Sequence, residues 1–394
     1  MEAMICSAVC RDRMIVLKSH IKNHHVMEET NIKDPIRTLP GKTNNGRPFD
    51  FYIQEQVRKG TLRLERVSRD TLGTPRHLEI YRTTRKTNFI ADWVNTAQDK
   101  DYCCEYWADL KIGKGPCGYR CPDCFLILTH RVKADPSRHI LYENRHDFIT
   151  AATSWLLKPT HRTSLGVGID CSDSLFYEGV TGYARALIPL FADPQTNPLD
   201  RHLILLTKSA NVHYLEGLPT RNTVVSFSLN PQEVADIFEG HYPDGLRITP
   251  SVSTRLEASK ACEEMGFETR WRIDPIIPIE GWQGIYQKFF TEAAPYRPRR
   301  ITLGIYRQMG PGFKTFSEKW GLESMAWEPP FKLTRDIGLH YQLPRPLRIE
   351  IYREVKHMVH ETWPSPMSPE LSLCKEIGEV RRASGITSRR CNCE

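Results

Sequence analysis

Gly115-Pro116-Cys117-Gly118-Tyr119-Arg120-Cys121-Pro122-Asp123-Cys124-Phe125 carries three thiols on one short loop, spaced C-x3-C-x2-C. A closed structural zinc site prefers four protein ligands, usually as two separated pairs. Three thiolates without an adjacent fourth leave one coordination position open, which suits an iron–sulfur cluster with one exchangeable iron. Cys117, Cys121 and Cys124 are the candidate cluster ligands.

Working outward from this loop, residues 109–112 read as a strand that enters it. Downstream, β-rich apolar runs at residues 164–169, 202–207, 223–228, 269–273 and 300–306 alternate with helical stretches at 181–191, 231–238, 251–266 and 282–293. Alternation of this kind predicts βα units and a parallel sheet. Asn230 followed by Pro231 reads as a helix cap and first helical residue, and Gly266 as a helix stop. Six such units are too few for a closed eight-unit barrel, so the expected fold is α/β, a partial (β/α)6 barrel over residues 101–310. Residues 1–100 form a basic N-terminal region of unassigned fold, and 311–394 a C-terminal extension.

Polar residues cluster just after these strands: Asp170-Cys171-Ser172-Asp173, Lys208-Ser209, Asn230, Asp274-Pro275 and Arg307. In parallel barrels the reactive groups sit on these loops.

Of the 394 residues, 40% are apolar and 26% charged, a balance that excludes a disordered, collagenous or coiled-coil chain. No apolar run is long enough to cross a bilayer. The N-terminal residues show no export signal, and the expected location is the cytoplasm. The formal charge is +7, and its excess is N-terminal: residues 1–100 hold 18 Lys and Arg against 12 Asp and Glu. Such a segment is compatible with polyanion binding, and equally with an ordinary solvated basic surface.

With these blocks in view, the sequence resembles the radical S-adenosylmethionine enzymes, and within them the spore photoproduct lyase family. The resemblance runs from about Cys117 to Arg307 through Ser172-Asp173-Ser174-Leu175, Leu205-Leu206-Thr207-Lys208-Ser209, Thr223-Val224-Val225-Ser226-Phe227-Ser228-Leu229-Asn230-Pro231, Arg272-Ile273-Asp274-Pro275 and Arg300-Ile301-Thr302-Leu303-Gly304. It implies a 4Fe-4S cluster on Cys117, Cys121 and Cys124, whose fourth iron takes S-adenosyl-L-methionine. It also implies cleavage of that cosubstrate to a 5′-deoxyadenosyl radical, a nucleic acid (DNA) substrate, and an electron donor such as flavodoxin or ferredoxin. Ser172, Asp173, Lys208, Ser226, Ser228 and Asn230 are the implied cosubstrate-binding residues. Phe125 joins them because Asp123 stands where the family carries an aromatic residue before its third cysteine.

The family's hydrogen-donating thiol lies shortly before the Ser-Asp pair. Aligning on Ser172-Asp173 places Asp170 in that slot and moves the thiol to Cys171, so both are candidate catalytic positions, with Cys171 as a small buried hydrophobe the competing reading. Cys391-Asn392-Cys393, with Cys374, reads either as a second metal site or as a frayed tail with free thiols. Cys6, Cys10, Cys103, Cys104, His20, His24 and His25 carry no assignment. Two other functions stay open: radical chemistry on a protein or small molecule, and a zinc-containing nucleic-acid-binding protein without catalysis.

Overall fold

The computed structural model describes residues 55–92, 107–114, 117–119, 121, 124, 126, 139–169, 171–242, 244–309, 332–337 and 340–393. Its centre is one eight-stranded sheet, β1 (Ile90–Asp92), β2 (Trp107–Leu110), β3 (Ser164–Val167), β4 (His202–Thr207), β5 (Thr223–Ser228), β6 (Glu268–Ile276), β7 (Arg300–Ile305) and β8 (Glu370–Leu373). The strands lie side by side in chain order. Every neighbouring pair from β2 to β8 is parallel, and β1 adds an antiparallel edge to β2.

Helices fill the crossovers: α1 (Arg145–Leu157), α2 (Tyr183–Ala192), α3 (Gln232–Phe238), α4 (Val252–Glu264), α5 (Trp282–Ala293) and α6 (Arg345–Thr362). Local chemistry sets their ends. Ser251 caps α4 by accepting the Thr254 N–H at 3.1 Å, and Gly266 follows it at φ 91°, a conformation that favours glycine. Asn230 does not cap α3 as the sequence predicts. Pro231 occupies the cap position, and the Asn230 side chain instead accepts from Tyr286.

Alternation along β6 separates two environments. Trp271 and Ile273 are fully buried on the helix side, where Trp271 Nε1 donates to Ser259 of α4 at 2.9 Å. Each such large side chain contributes about 2–3 kcal/mol through apolar burial. Arg270, Arg272 and Asp274 face the opposite side. That side is concave, because residues 391–393 touch Ser164 of β3, Ser226 of β5 and Thr302 of β7 together. In a flat sheet, β3 and β7 would stand four strand spacings, about 19 Å, apart. The sheet therefore curls into a partial barrel, and its edges, β1 and β8, do not pair with each other.

Six parallel strands stand where the sequence places them. β8 is a seventh, inside the region read as a C-terminal extension. A smaller four-stranded sheet joins Arg63–Val67 and Leu78–Thr83 to His139–Tyr142 and Gly113–Lys114, so strand pairing crosses the boundary read at residue 100.

Candidate active site at the mouth of the barrel

The C-terminal ends of β2 to β8 point the same way, and Cys117, Cys121, Cys124, Asp173, Lys208 and Asn230 follow them in the chain. Cys117 and Cys121 are buried and Cys124 is half-buried, while the Cys124 N–H donates to the Cys121 carbonyl at 3.1 Å and tightens the loop. Gly118 permits this turn. A Cβ there would stand 2.0 Å from the Phe176 ring, which also packs edge-on against Tyr119. Burial, then the charge of Asp173, pushes the Cys117 thiol up.

Among the described residues, no three His, Cys, Asp or Glu side chains converge tightly enough to hold one metal ion. In a cubane each thiolate would bind a different iron. Ser172 Oγ is buried beside the Cys117 thiol and has no hydrogen-bonded nitrogen or oxygen partner. An all-thiol donor set with the Ser172 hydroxyl at its edge fits a cluster with a polar cosubstrate next to it.

The loop after β3 is built around Asp173. One carboxylate oxygen accepts from the Leu175 and Phe176 N–H groups at 3.0 and 2.9 Å and from Thr207 Oγ1 at 2.7 Å. The other accepts the Lys208 N–H at 2.6 Å. Asp173 therefore ties the β3 loop to the end of β4, and burial still raises its pKa. These four contacts hold Asp173 between the two loops.

Lys208 Nζ lies 2.6 Å from Glu239, whose carboxylate also receives the buried Arg255 guanidinium and Thr249 Oγ1. Burial pushes Glu239 up, but Arg255 and Lys208 overcome it and hold the carboxyl down at about 2. Arg255 also donates to the carbonyls of Ser228 and Pro250, at 3.0 and 2.9 Å, and so fixes the exit of β5. Neither Glu239 nor Arg255 is legible as a site residue in the sequence, because Arg255 sits within an ordinary helical pattern and Glu239 at the end of one.

Ser226 and Ser228 share a face, as their spacing requires, but differ in environment. Ser226 is fully buried, and its Oγ accepts the Asn392 side-chain amide at 3.0 Å. It faces the barrel interior, beside residues 391–393. Ser228 is half-buried at the mouth. Asn230 accepts the Tyr286 hydroxyl at 3.0 Å through Oδ1, which leaves its amide N–H donors unengaged among the described residues.

Cys171 is buried, with its thiol pushed up to about 12 by burial and then by the charge of Asp109, against hydrogen bonds from the backbone of Ile112 and Gly113. The sulfur therefore packs against the end of β2. Asp170 and Phe125 lie outside the described residues. Asp109 itself was missed: it is buried, accepts the Ile169 N–H at 2.8 Å and meets Lys111 Nζ at 3.3 Å. Burial outweighs Lys111 and raises its pKa to about 6.

Cys391, Asn392 and Cys393 are buried at 3%, 0% and 3% exposure, which overturns their reading as a frayed tail. Asn392 donates to the Trp271 carbonyl at 2.6 Å, and its Oδ1 and N–H both engage Thr302 Oγ1. Arg300 and Arg270 donate to the carbonyls of Cys391 and Asn392. The only sequence signal was the Cys-Asn-Cys triplet itself, which says nothing about where it docks.

No known family profile and no curated protein sequence matches the chain. Solved structures do. A Cys-to-Ala variant of spore photoproduct lyase superposes with a TM-score of 0.58 at 18% identity, over 89% of this chain and 89% of that one. A Tyr-to-Phe variant gives 0.57 at 18% identity over the same shares. A third spore photoproduct lyase structure, with bound AdoMet and dinucleoside spore photoproduct, gives 0.57 at 18% identity over 75% of this chain and 81% of that one. The open parallel barrel, with its three-cysteine loop at the mouth, is thus the fold of spore photoproduct lyase.

Proposed function

We propose that the chain is a radical S-adenosylmethionine enzyme acting on a nucleic-acid base. The observation that carries this reading is the position of Cys117, Cys121 and Cys124 on the loop after β2, at the open mouth of the parallel barrel, with two of the three thiols buried. A 4Fe-4S cluster held there would supply the electron that splits the sulfonium of S-adenosylmethionine into methionine and a 5′-deoxyadenosyl radical.

The chain's own residues bind and position. Gly118 and Phe176 set the cysteine loop. Ser172 offers a buried hydroxyl to the methionine end of the cosubstrate, and Lys208, already oriented by Glu239, brings a compact charge with three donors toward its carboxylate. Asp173 joins those two loops and keeps Ser172 and Lys208 in register. Ser228 and Asn230 supply donors and acceptors for the ribose.

A DNA substrate is supported by the shared fold with proteins solved with dinucleoside spore photoproduct, and by the basic excess of residues 1–100. An electron donor of the flavodoxin or ferredoxin type completes the cycle. Cys171 is buried against the end of β2 and ligates no cluster iron in this reading, so Cys171→Ala retains 5′-deoxyadenosine formation. The deciding assay incubates reduced, reconstituted enzyme with S-adenosylmethionine, with and without ultraviolet-irradiated DNA. Stimulation of 5′-deoxyadenosine formation by the irradiated DNA supports the substrate class. Equal turnover with and without it rejects DNA while leaving the radical chemistry standing.

A further inference from the structure

Tyr119 stands on the loop between Cys117 and Cys121 and is 3% exposed. Its ring packs edge-on against Phe176, with 4.5 Å between centroids. Its phenol oxygen is enclosed and has no hydrogen-bonded partner among the described residues. A phenylalanine would make the same ring contact without burying an unsatisfied hydroxyl, so the oxygen needs its own explanation.

The neighbouring protein groups do not supply one. Asp173 is near, but its two oxygens already accept from Leu175, Phe176, Thr207 and Lys208. Ser209 Oγ, beside the phenol, already accepts the Asn211 N–H at 3.1 Å. Arg255, a third neighbour, carries donors and no acceptor.

Two further observations say what kind of acceptor suits the position. Arg255 shares the Glu239 carboxylate with Lys208 Nζ, which puts the phenol beside two cations held on one anion. Cys117 lies next to both the phenol and Ser172 Oγ, a second buried hydroxyl without a partner. Two orphaned donors around one candidate cluster ligand, with cations behind them, suit a carboxylate.

We propose that Tyr119 is a cosubstrate-binding residue, which donates its phenolic hydrogen to the methionine carboxylate of S-adenosylmethionine alongside Lys208. The proposal rests on the radical reading above and adds a residue to that site. A carboxylate accepts several hydrogen bonds at once, so Ser172, Lys208 and Tyr119 do not compete for it. Tyr119 escapes a motif-based reading because it fills one of the x positions of C-x3-C, where spacing specifies no residue type.

The test uses full-length, cluster-loaded protein kept oxidised, so that S-adenosylmethionine binds without turning over. Equilibrium dialysis with labelled S-adenosylmethionine compares wild type, Tyr119→Phe, Lys208→Ala and the double variant. Tyr119→Phe should weaken binding about tenfold, the loss of one hydrogen bond to a charged acceptor, with iron per chain unchanged. The double variant should lose less than the product of the two single losses, because both donors act on one carboxylate. In the cosubstrate-free protein, Tyr119→Phe should melt at the wild-type temperature or above it, since the hydroxyl has no partner to lose. An unchanged affinity overturns the proposal. So do strictly multiplicative losses, or a melting temperature several degrees lower, which would make the hydroxyl a structural partner. A wild type that binds no S-adenosylmethionine overturns this proposal and the radical reading together, whereas normal wild-type binding with an indifferent Tyr119→Phe overturns this proposal alone.

Discussion

Asn392 donates its side-chain amide to Ser226 Oγ at 3.0 Å, across 166 positions of sequence. Through this contact, and those with Trp271 and Thr302, one asparagine ties β5, β6 and β7 together from inside the barrel. Asn392→Ala leaves several buried polar groups without partners and should cost about 2–4 kcal/mol of stability. Urea unfolding monitored by tryptophan fluorescence measures it, and a loss below about 0.5 kcal/mol would mean the interior reorganises around the gap.

Glu239 is a carboxylate shared by Lys208 and the fully buried Arg255. Removing its charge strands the guanidinium, so Glu239→Gln should destabilise by about 3–5 kcal/mol. Arg255→Met added to it should restore part of that loss. An additive double variant would show that the two side chains do not act as a pair.

Asp109 gives a pH signature of defined sign. Its folded pKa, about 6, lies above the ordinary carboxyl value of 3.8, so the folded chain binds more protons than the unfolded chain between these limits. Stability therefore falls as pH rises from about 4 to about 6 on account of this group. Asp109→Asn should remove that component and stabilise the protein at pH 8 by about 2–3 kcal/mol. Thermal melts of both proteins at pH 5 and pH 8 test it, and a gap between wild type and variant that does not widen with pH would contradict the burial argument.

Much of this architecture was readable from periodicity. Strand runs and helical stretches alternate because each strand is covered by the helix that follows it, and that pattern survives in one sequence without any partner information. α5 begins and ends where the spacing places it, at Trp282 and Ala293. β8 escaped because Glu370–Leu373 is only four residues long and follows a long helix rather than a short crossover. At the site, the cysteine triplet was legible because its spacing is itself the chemistry. The opposite fates of Ser226 and Ser228 were not, since both face inward and only the docking of residues 391–393 separates them. The brace that Asp173 makes between two loops was not legible either, because its partners at 207 and 208 lie 34 and 35 positions away.

The packing of Gly118 against Phe176 leads to a further expectation. A methyl group at residue 118 would overlap the Phe176 ring, so Gly118→Ala should displace the cysteine loop without removing a thiol. Iron and sulfide bound per chain after anaerobic reconstitution should fall several-fold, and Phe176→Leu in the same chain should recover part of the loss by clearing space. Wild-type loading in Gly118→Ala would show that the loop tolerates the shift.

The most direct measurement is electron paramagnetic resonance of the anaerobically reconstituted, dithionite-reduced protein before and after S-adenosylmethionine is added, with 5′-deoxyadenosine assayed on the same samples. The account predicts a reduced 4Fe-4S signal that changes shape when the cosubstrate binds, product formation in the wild type, and loss of product in each of Cys117→Ala, Cys121→Ala and Cys124→Ala. A signal indifferent to S-adenosylmethionine, or 5′-deoxyadenosine formed at the wild-type rate by any of the three variants, would contradict it.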